Sequence, residues 1–116
     1  MKETLISILS EFADVFLQGT ISESYPQKFI TFFTTDSNFD AFYNDDANQI
    51  NWFVSVVFYS TDPSEVLSVP PQIISALKVG GFIPENAGID VMCDEPTHTG
   101  WAMDFIYPEN IEKEGV

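Results

Sequence analysis

The sequence predicts an α+β fold: one domain of 116 residues with helices packed on a mostly antiparallel sheet of about five strands. Three observations carry that expectation. Apolar residues at the start of the chain recur at helical spacing, whereas from residue 27 they recur at every second position. A second helical stripe at 62–79 then divides the strand-like segments into a group of three and a pair. Such a length suits a single domain that buries roughly two thirds of its unfolded surface. Hydrophobic residues make up 45% and aromatics 15%, with eleven Phe, which excludes a disordered chain despite the acidity.

In residues 2–18, Leu5, Ile8, Leu9, Phe12 and Phe16 fall on one helical face, and Glu3, Ser10, Glu11 and Asp14 lie off it. Gly19 is placed to end this helix, whose apolar face packs on the sheet. Phe29-Ile30-Thr31-Phe32-Phe33-Thr34-Thr35 reads as a strand with apolar groups on both faces. A polar break, Asp36-Ser37-Asn38, precedes a shorter strand at 40–43, and Asn44-Asp45-Asp46-Ala47-Asn48 forms a turn. Residues 49–60 make the longest strand, with Trp52, Val54, Val56 and Phe58 on one side and Phe53, Ser55, Val57 and Tyr59 on the other. These segments form a three-stranded antiparallel meander whose last strand is central.

Asp62-Pro63-Ser64-Glu65 begins the second helix. Asp62 caps it, Pro63 suits its first position, and Glu65 reaches back from the third. Pro70-Pro71 interrupts the apolar stripe Val66, Leu67, Val69, Ile73, Ile74, Leu77, which predicts a kink or two short helices. Gly80-Gly81 terminates it. Strands at 88–93 and 100–107 follow, the second with Trp101, Met103, Phe105 and Tyr107 on one face. Residues 108–116 read as a charged, frayed tail. The expected order is helix, three strands, helix, two strands, in one domain without linkers or repeats.

The four cations, Lys2, Lys28, Lys78 and Lys113, are scattered, there is no Arg, and the net charge is -14. That balance repels phosphate backbones and anionic membranes and removes bidentate anion clamps. It favours solubility and docking onto a positively charged protein surface. Cys93 is the single cysteine, so no intrachain disulfide is expected and a reducing compartment fits. Glu11 and Asp14 interrupt any leader-like apolar core, and no apolar run reaches the ~18–20 residues of a membrane span. A soluble, cytoplasmic protein is expected.

Asp94, Glu95 and His98 form the tightest cluster of acid, base and metal-ligating types. Their spacing matches no helical zinc motif, and Pro96 makes the segment a turn, so a structural or interface loop is the better reading. Asp36, Asp40, Asp45 and Asp46 lack the glycine and twelfth-position glutamate of a calcium loop. Cys93 has no cationic neighbour in sequence to favour a thiolate. Nucleophile elbows, phosphate loops and dinucleotide fingerprints are absent. No catalytic residue, metal ligand or cofactor is therefore expected. The aromatic surplus (Phe29, Phe33, Phe53 and Tyr59, with Phe42 and Tyr43) is more than two helices cover on two sheet faces. It is either core or a protein–protein interface. Edge strands at 40–43 or in the C-terminal pair offer a second route to a neighbour, by sheet extension.

The strings Phe58-Tyr59-Ser60-Thr61-Asp62-Pro63 and Asp94-Glu95-Pro96-Thr97-His98-Thr99-Gly100 resemble a family of small tailed-phage proteins. That family belongs to the head–tail joining region of phages and prophages of Gram-positive bacteria. Phe32-Phe33-Thr34-Thr35-Asp36-Ser37 and Phe42-Tyr43-Asn44-Asp45 are similar too, so the likeness spans about residues 25–107. The resemblance implies a tail-completion or tail-terminator role without catalysis or cofactor. It implies a hexameric ring that caps the tail tube and docks it to the head connector, in the host cytoplasm during assembly and then in the virion. Candidate interface residues are Phe42, Tyr43, Asp94, Glu95, His98 and Trp101. The alternative is an acidic inhibitor or DNA mimic that occupies a basic site on a host enzyme.

Overall fold

A computed structural model describes residues 1–17, 26–39, 49–92 and 97–110. Among them the order is α1 (Lys2–Leu9), β1 (Asp14–Leu17), β2 (Lys28–Phe39), β3 (Gln49–Ser60), α2 (Pro63–Val79), β4 (Ile83–Pro84), β5 (Ile89–Met92) and β6 (Thr99–Asn110). The strands form one sheet in the order β1-β2-β3-β6-β4, with β5 also paired to β6. Every pairing is antiparallel except β1 with β2. The fold is α+β, as the periodicity predicts, and β3 is central to the long strands.

The first helix is shorter than its apolar spacing predicts. The Ser10 hydroxyl donates back to the Ile6 carbonyl (2.6 Å) and Phe12 N–H to the Leu9 carbonyl (2.9 Å), which closes the helix in a turn. Residues 14–17 then extend and pair in parallel with β2, Val15 opposite Ile30 and Phe16 opposite Thr31. A β-branched and aromatic run beside an open strand edge gains sheet hydrogen bonds, and that gain overrides helical spacing. Gly19 lies outside the described residues.

The expected break at 36–38 is instead part of β2, which absorbs it as a register shift between Thr34 and Asp36. Residues 40–48, with the short strand and turn expected there, lie outside the described residues. β6 continues past 107 and takes in Pro108 and Glu109, expected to be frayed, because β3 reaches back to Gln49 and pairs with them. Two-residue β4 is too short for periodicity to reveal.

α2 runs unbroken from Pro63 to Val79, so no second helix starts at Pro71. Val66, Pro70, Ile73 and Leu77 share its buried stripe. Packing along that stripe outweighs the two main-chain hydrogen bonds that the prolines remove. Asp62 caps through Oδ1, which accepts from Ser64 N–H (3.0 Å). Glu65 reaches back indirectly: Ser60 Oγ donates to its Oε1 (2.8 Å) and accepts from Asp62 N–H (3.0 Å). At the other end Phe82 N–H bonds the Leu77 carbonyl and Gly81 N–H the Lys78 carbonyl, with Gly81 at φ 100°. This paired closure needs a left-handed residue, and glycine supplies it without strain.

Both helices lie on one side of the sheet. Leu5 and Leu9 of α1 and Ile73 and Leu77 of α2 meet Ile30, Phe32, Val54, Val56, Phe58, Met103 and Phe105, all fully or nearly fully buried. Phe82 packs edge-on to Phe105 at 6.4 Å and against Tyr107 at 4.4 Å. The 12-residue strands span about 40 Å. The 17-residue helix spans only about 25 Å. The sheet therefore outruns its helical cover, in keeping with a longest dimension of 51 Å.

Candidate functional site

Strand register defines what the side opposite the two helices presents. Phe53 lies opposite Ile106, which lies opposite Ile83, so three strands contribute one apolar row. Thr31, Val57, Ala102 and Ile89 form a parallel row. Thr31, Ser55 and Val57 at the centre of this side are buried and Phe53 and Ile106 are half-buried, whereas Ile83 and Ile89 toward the β4–β5 edge are 52% and 64% exposed. Asp104 sits between the rows and accepts from Asn86 Nδ2 (3.1 Å). Among the described residues no helix packs on this side.

The end of this face nearest Pro26 is closed by rings. Phe29, 1% exposed, stacks on Tyr59 at 4.8 Å and meets Phe16 and His98 edge-on. His98 lies 2.7 Å from the Pro26 carbonyl through Nε2. A carbonyl only accepts, so Nε2 carries the proton, and in the neutral tautomer Nδ1 accepts from the Thr97 hydroxyl (3.1 Å). His98 thus holds residues 97–98 against residue 26.

Exposed stretches of β2, β4 and β6 carry devices that discourage further strands. Glu85 N–H donates to the Asp104 carbonyl (2.8 Å), so even-numbered β6 residues aim their backbone groups away from β3. Pro108 is one of these and offers no outward donor. Pro84, opposite Phe105 between two bonded pairs, likewise lacks the N–H that would face a strand added beyond β4. On β2, Thr61 N–H donates to the Gln27 carbonyl, and the bulge then reverses the alternation so that Ser37 N–H faces outward. Asp36 Oδ1 caps that N–H at 2.8 Å. Prolines, a bulge and a side-chain cap are the usual means of blunting a sheet edge. Along these stretches of β2, β4 and β6, the face is a more accessible contact surface than sheet extension.

A second apolar feature lies on the helical side. Val66, Leu67, Pro70 and Pro71 of α2 form one wall, and Ala87 and Trp101 the other, of a half-open cleft of about 210 Å³. The indole N–H of Trp101 donates to the Ala87 carbonyl (2.8 Å), which fixes the ring. Gly88 (φ 111°) lies flat against that indole, and a β-carbon there would collide with Trp101 Nε1. Leu67 is 76% exposed at the mouth.

Of the residues expected at an interface, Phe42, Tyr43, Asp94 and Glu95 lie outside the described residues. His98 is 7% exposed. It braces one end of the face opposite the helices, while Trp101 lines the cleft on the other side, so the two do not share a site. Sequence reading missed Ile83 and Ile106, although the alternation that puts Phe105 inward puts Ile106 outward. It also missed Pro70-Pro71 as a cleft wall, because a break rather than a surface was expected there. Cys93 is not described, and among the described residues no three His, Cys, Asp or Glu side chains converge as metal ligands. No described helix is long and apolar enough to cross a membrane. No family model matches the chain, and no curated protein does either.

Proposed function

We propose that the chain is a non-enzymatic assembly protein that acts by self-association and docking: a tail-completion or tail-terminator component at the head–tail junction of a tailed phage. The observation that carries this reading is the Phe53–Ile106–Ile83 row, which runs out to a 52% exposed Ile83 on the sheet face opposite the described helices. Contiguous apolar surface on a charged protein is the usual mark of a contact surface. The sequence likeness over residues 25–107 supplies the virion context, the hexameric ring, and the tail tube and head connector as partners. A ring repeats one heterologous contact until rotation closes it. Acidic residues facing its channel repel passing DNA. Asp62, Glu65, Asp104 and Glu109 each serve bonds within the chain, which favours an assembly role over a surface that imitates phosphates.

The test is mass in solution by light scattering behind a sizing column, at low and moderate salt. A hexamer that salt promotes, and that Ile106→Glu abolishes, is the expected result, since screening weakens repulsion between acidic subunits. A monomer under every condition overturns self-assembly as the mode of action.

A further inference from the structure

The cleft between the proline turn of α2 and Trp101 has the dimensions and surroundings of an anchor pocket. We infer that it receives one large apolar side chain from a Lys/Arg-bearing segment of a different protein. This inference rests on the docking role proposed above but concerns a separate surface.

Size decides the class of occupant. A volume of about 210 Å³ falls below the ~300–1,000 Å³ usual for small-molecule and cofactor sites. It matches a single leucine- or phenylalanine-sized side chain. The walls are almost wholly apolar and rigid. Two adjacent prolines hold one side, and Trp101, pinned through Ala87 and overlain by Gly88, holds the other. A pocket that is already shaped loses little conformational entropy when filled, the condition under which one buried anchor dominates an interface.

Charge decides the source of the side chain. Glu65 and Asp90 neighbour the lining residues in sequence, and no lysine lies within six positions of either. Asp90 pairs directly with Trp101 across β5 and β6, so its carboxylate shares the face of the indole. Lys28 is engaged with Glu65 at 3.6 Å. A second copy of this chain would bring another -14 charges and no Arg to an acidic rim. A cationic segment is attracted to that rim, and its apolar residue fills the cleft.

The test titrates the ¹⁵N-labelled full chain with synthetic nonapeptides: lysines around a central Leu, the same with a central Ala, and a Glu-for-Lys version of the first. The chain has two tryptophans, and the Trp101 indole N–H is assigned through its proximity to Ala87. The expected result is a saturable shift of that resonance, with the Leu peptide binding about tenfold more tightly than the Ala peptide and the Glu peptide not binding. Ala87→Phe fills the cleft from an exposed position and leaves the carbonyl that holds Trp101. It should remove the Leu-over-Ala preference while the spectrum stays dispersed, and Leu67→Glu at the mouth should weaken it. Equal affinity for the Leu and Ala peptides, or a silent Trp101 resonance, overturns the inference. Self-association lost on Ala87→Phe overturns it too, by making a second copy the occupant. None of these outcomes alters whether Ile106→Glu dissolves a hexamer, so the two readings fail separately.

Discussion

The indole N–H of Trp52 donates to Oε1 of Glu109 at 2.8 Å, and the other oxygen of that carboxylate accepts from the amino group of Met1 at 3.2 Å. One side chain thus joins β3, β6 and the start of α1. The Trp52 hydrogen bond is the main reason that the Glu109 carboxyl titrates below its ordinary range. Partial burial opposes the shift, and the bond and charge of the Met1 amine reinforce it.

A depressed carboxyl pKa stabilises the folded state above the unfolded pKa, and that contribution is lost as pH falls through the folded value. Glu109→Gln should therefore lower the urea midpoint at pH 7, with the deficit closing as the pH drops below ~4, the ordinary glutamate range. Glu109 is 38% exposed, so solvent screening limits the loss at neutral pH to about 1 kcal/mol. A deficit that persists unchanged to pH 2.5 would show that packing, not charge, is what the glutamate supplies.

Phe105 and Phe53 lie on opposite faces of the sheet, and their truncation should separate stability from association. Phe105→Ala empties a fully buried site and should cost about 3–5 kcal/mol in chemical denaturation. Phe53→Ala, at a half-buried position on the face opposite the helices, should cost less than half of that yet raise the dissociation constant of any oligomer. Equal losses of stability would mean that Phe53 is core.

Gly81 holds a φ of 100° at the end of α2. Gly81→Ala should destabilise by about 1–2 kcal/mol, because an L side chain is strained there. Gly80→Ala tests crowding instead, since a β-carbon at Gly80 would collide with Ile8. Thermal melts of the two variants, with helix content checked by circular dichroism, distinguish backbone strain from helix–helix clash.

Pro108→Thr restores an outward N–H to β6, and Asp36→Ala frees that of Ser37. Both should increase slow, concentration-dependent aggregation, read as thioflavin binding and scattering, with little change in melting temperature. If neither variant aggregates faster, these residues are not what protects the edges.

Much of this architecture is written locally. Alternation over 49–60 marks β3, and Asp62-Pro63 and Gly80-Gly81 mark both ends of α2, because caps and strand alternation depend on neighbouring residues alone. β1 was not legible, since Val15-Phe16-Leu17 extends only in response to the free edge of β2, supplied from twelve or more residues away. The restart expected at the proline pair fails for a related reason: the cost of the prolines is local, whereas the stripe of Val66, Pro70, Ile73 and Leu77 that overrides it packs on distant strands. Trp101 was singled out as a contact residue, but its cleft needs α2 opposite it, which no spacing in β6 encodes. Phe53 was legible as surplus; its neighbours Ile106 and Ile83 were not, because cross-strand register joins them.

β6 lies inside the sheet, between β3 and the pair β4 and β5, yet it follows all of them in the chain. On the ribosome, β3 and α2 therefore emerge before the strand that covers one edge of β3 and supplies Met103 and Phe105 to the core. Until residue 105 has cleared the exit tunnel, Val54 and Val56 face an unfilled gap and the pairing of β3 is one-sided. Pairing of distant segments is slow to nucleate and exposes apolar strands in the interval. Folding of this domain accordingly waits on β6, and ribosome stalling or truncation before β6 should yield insoluble product rather than a smaller folded domain.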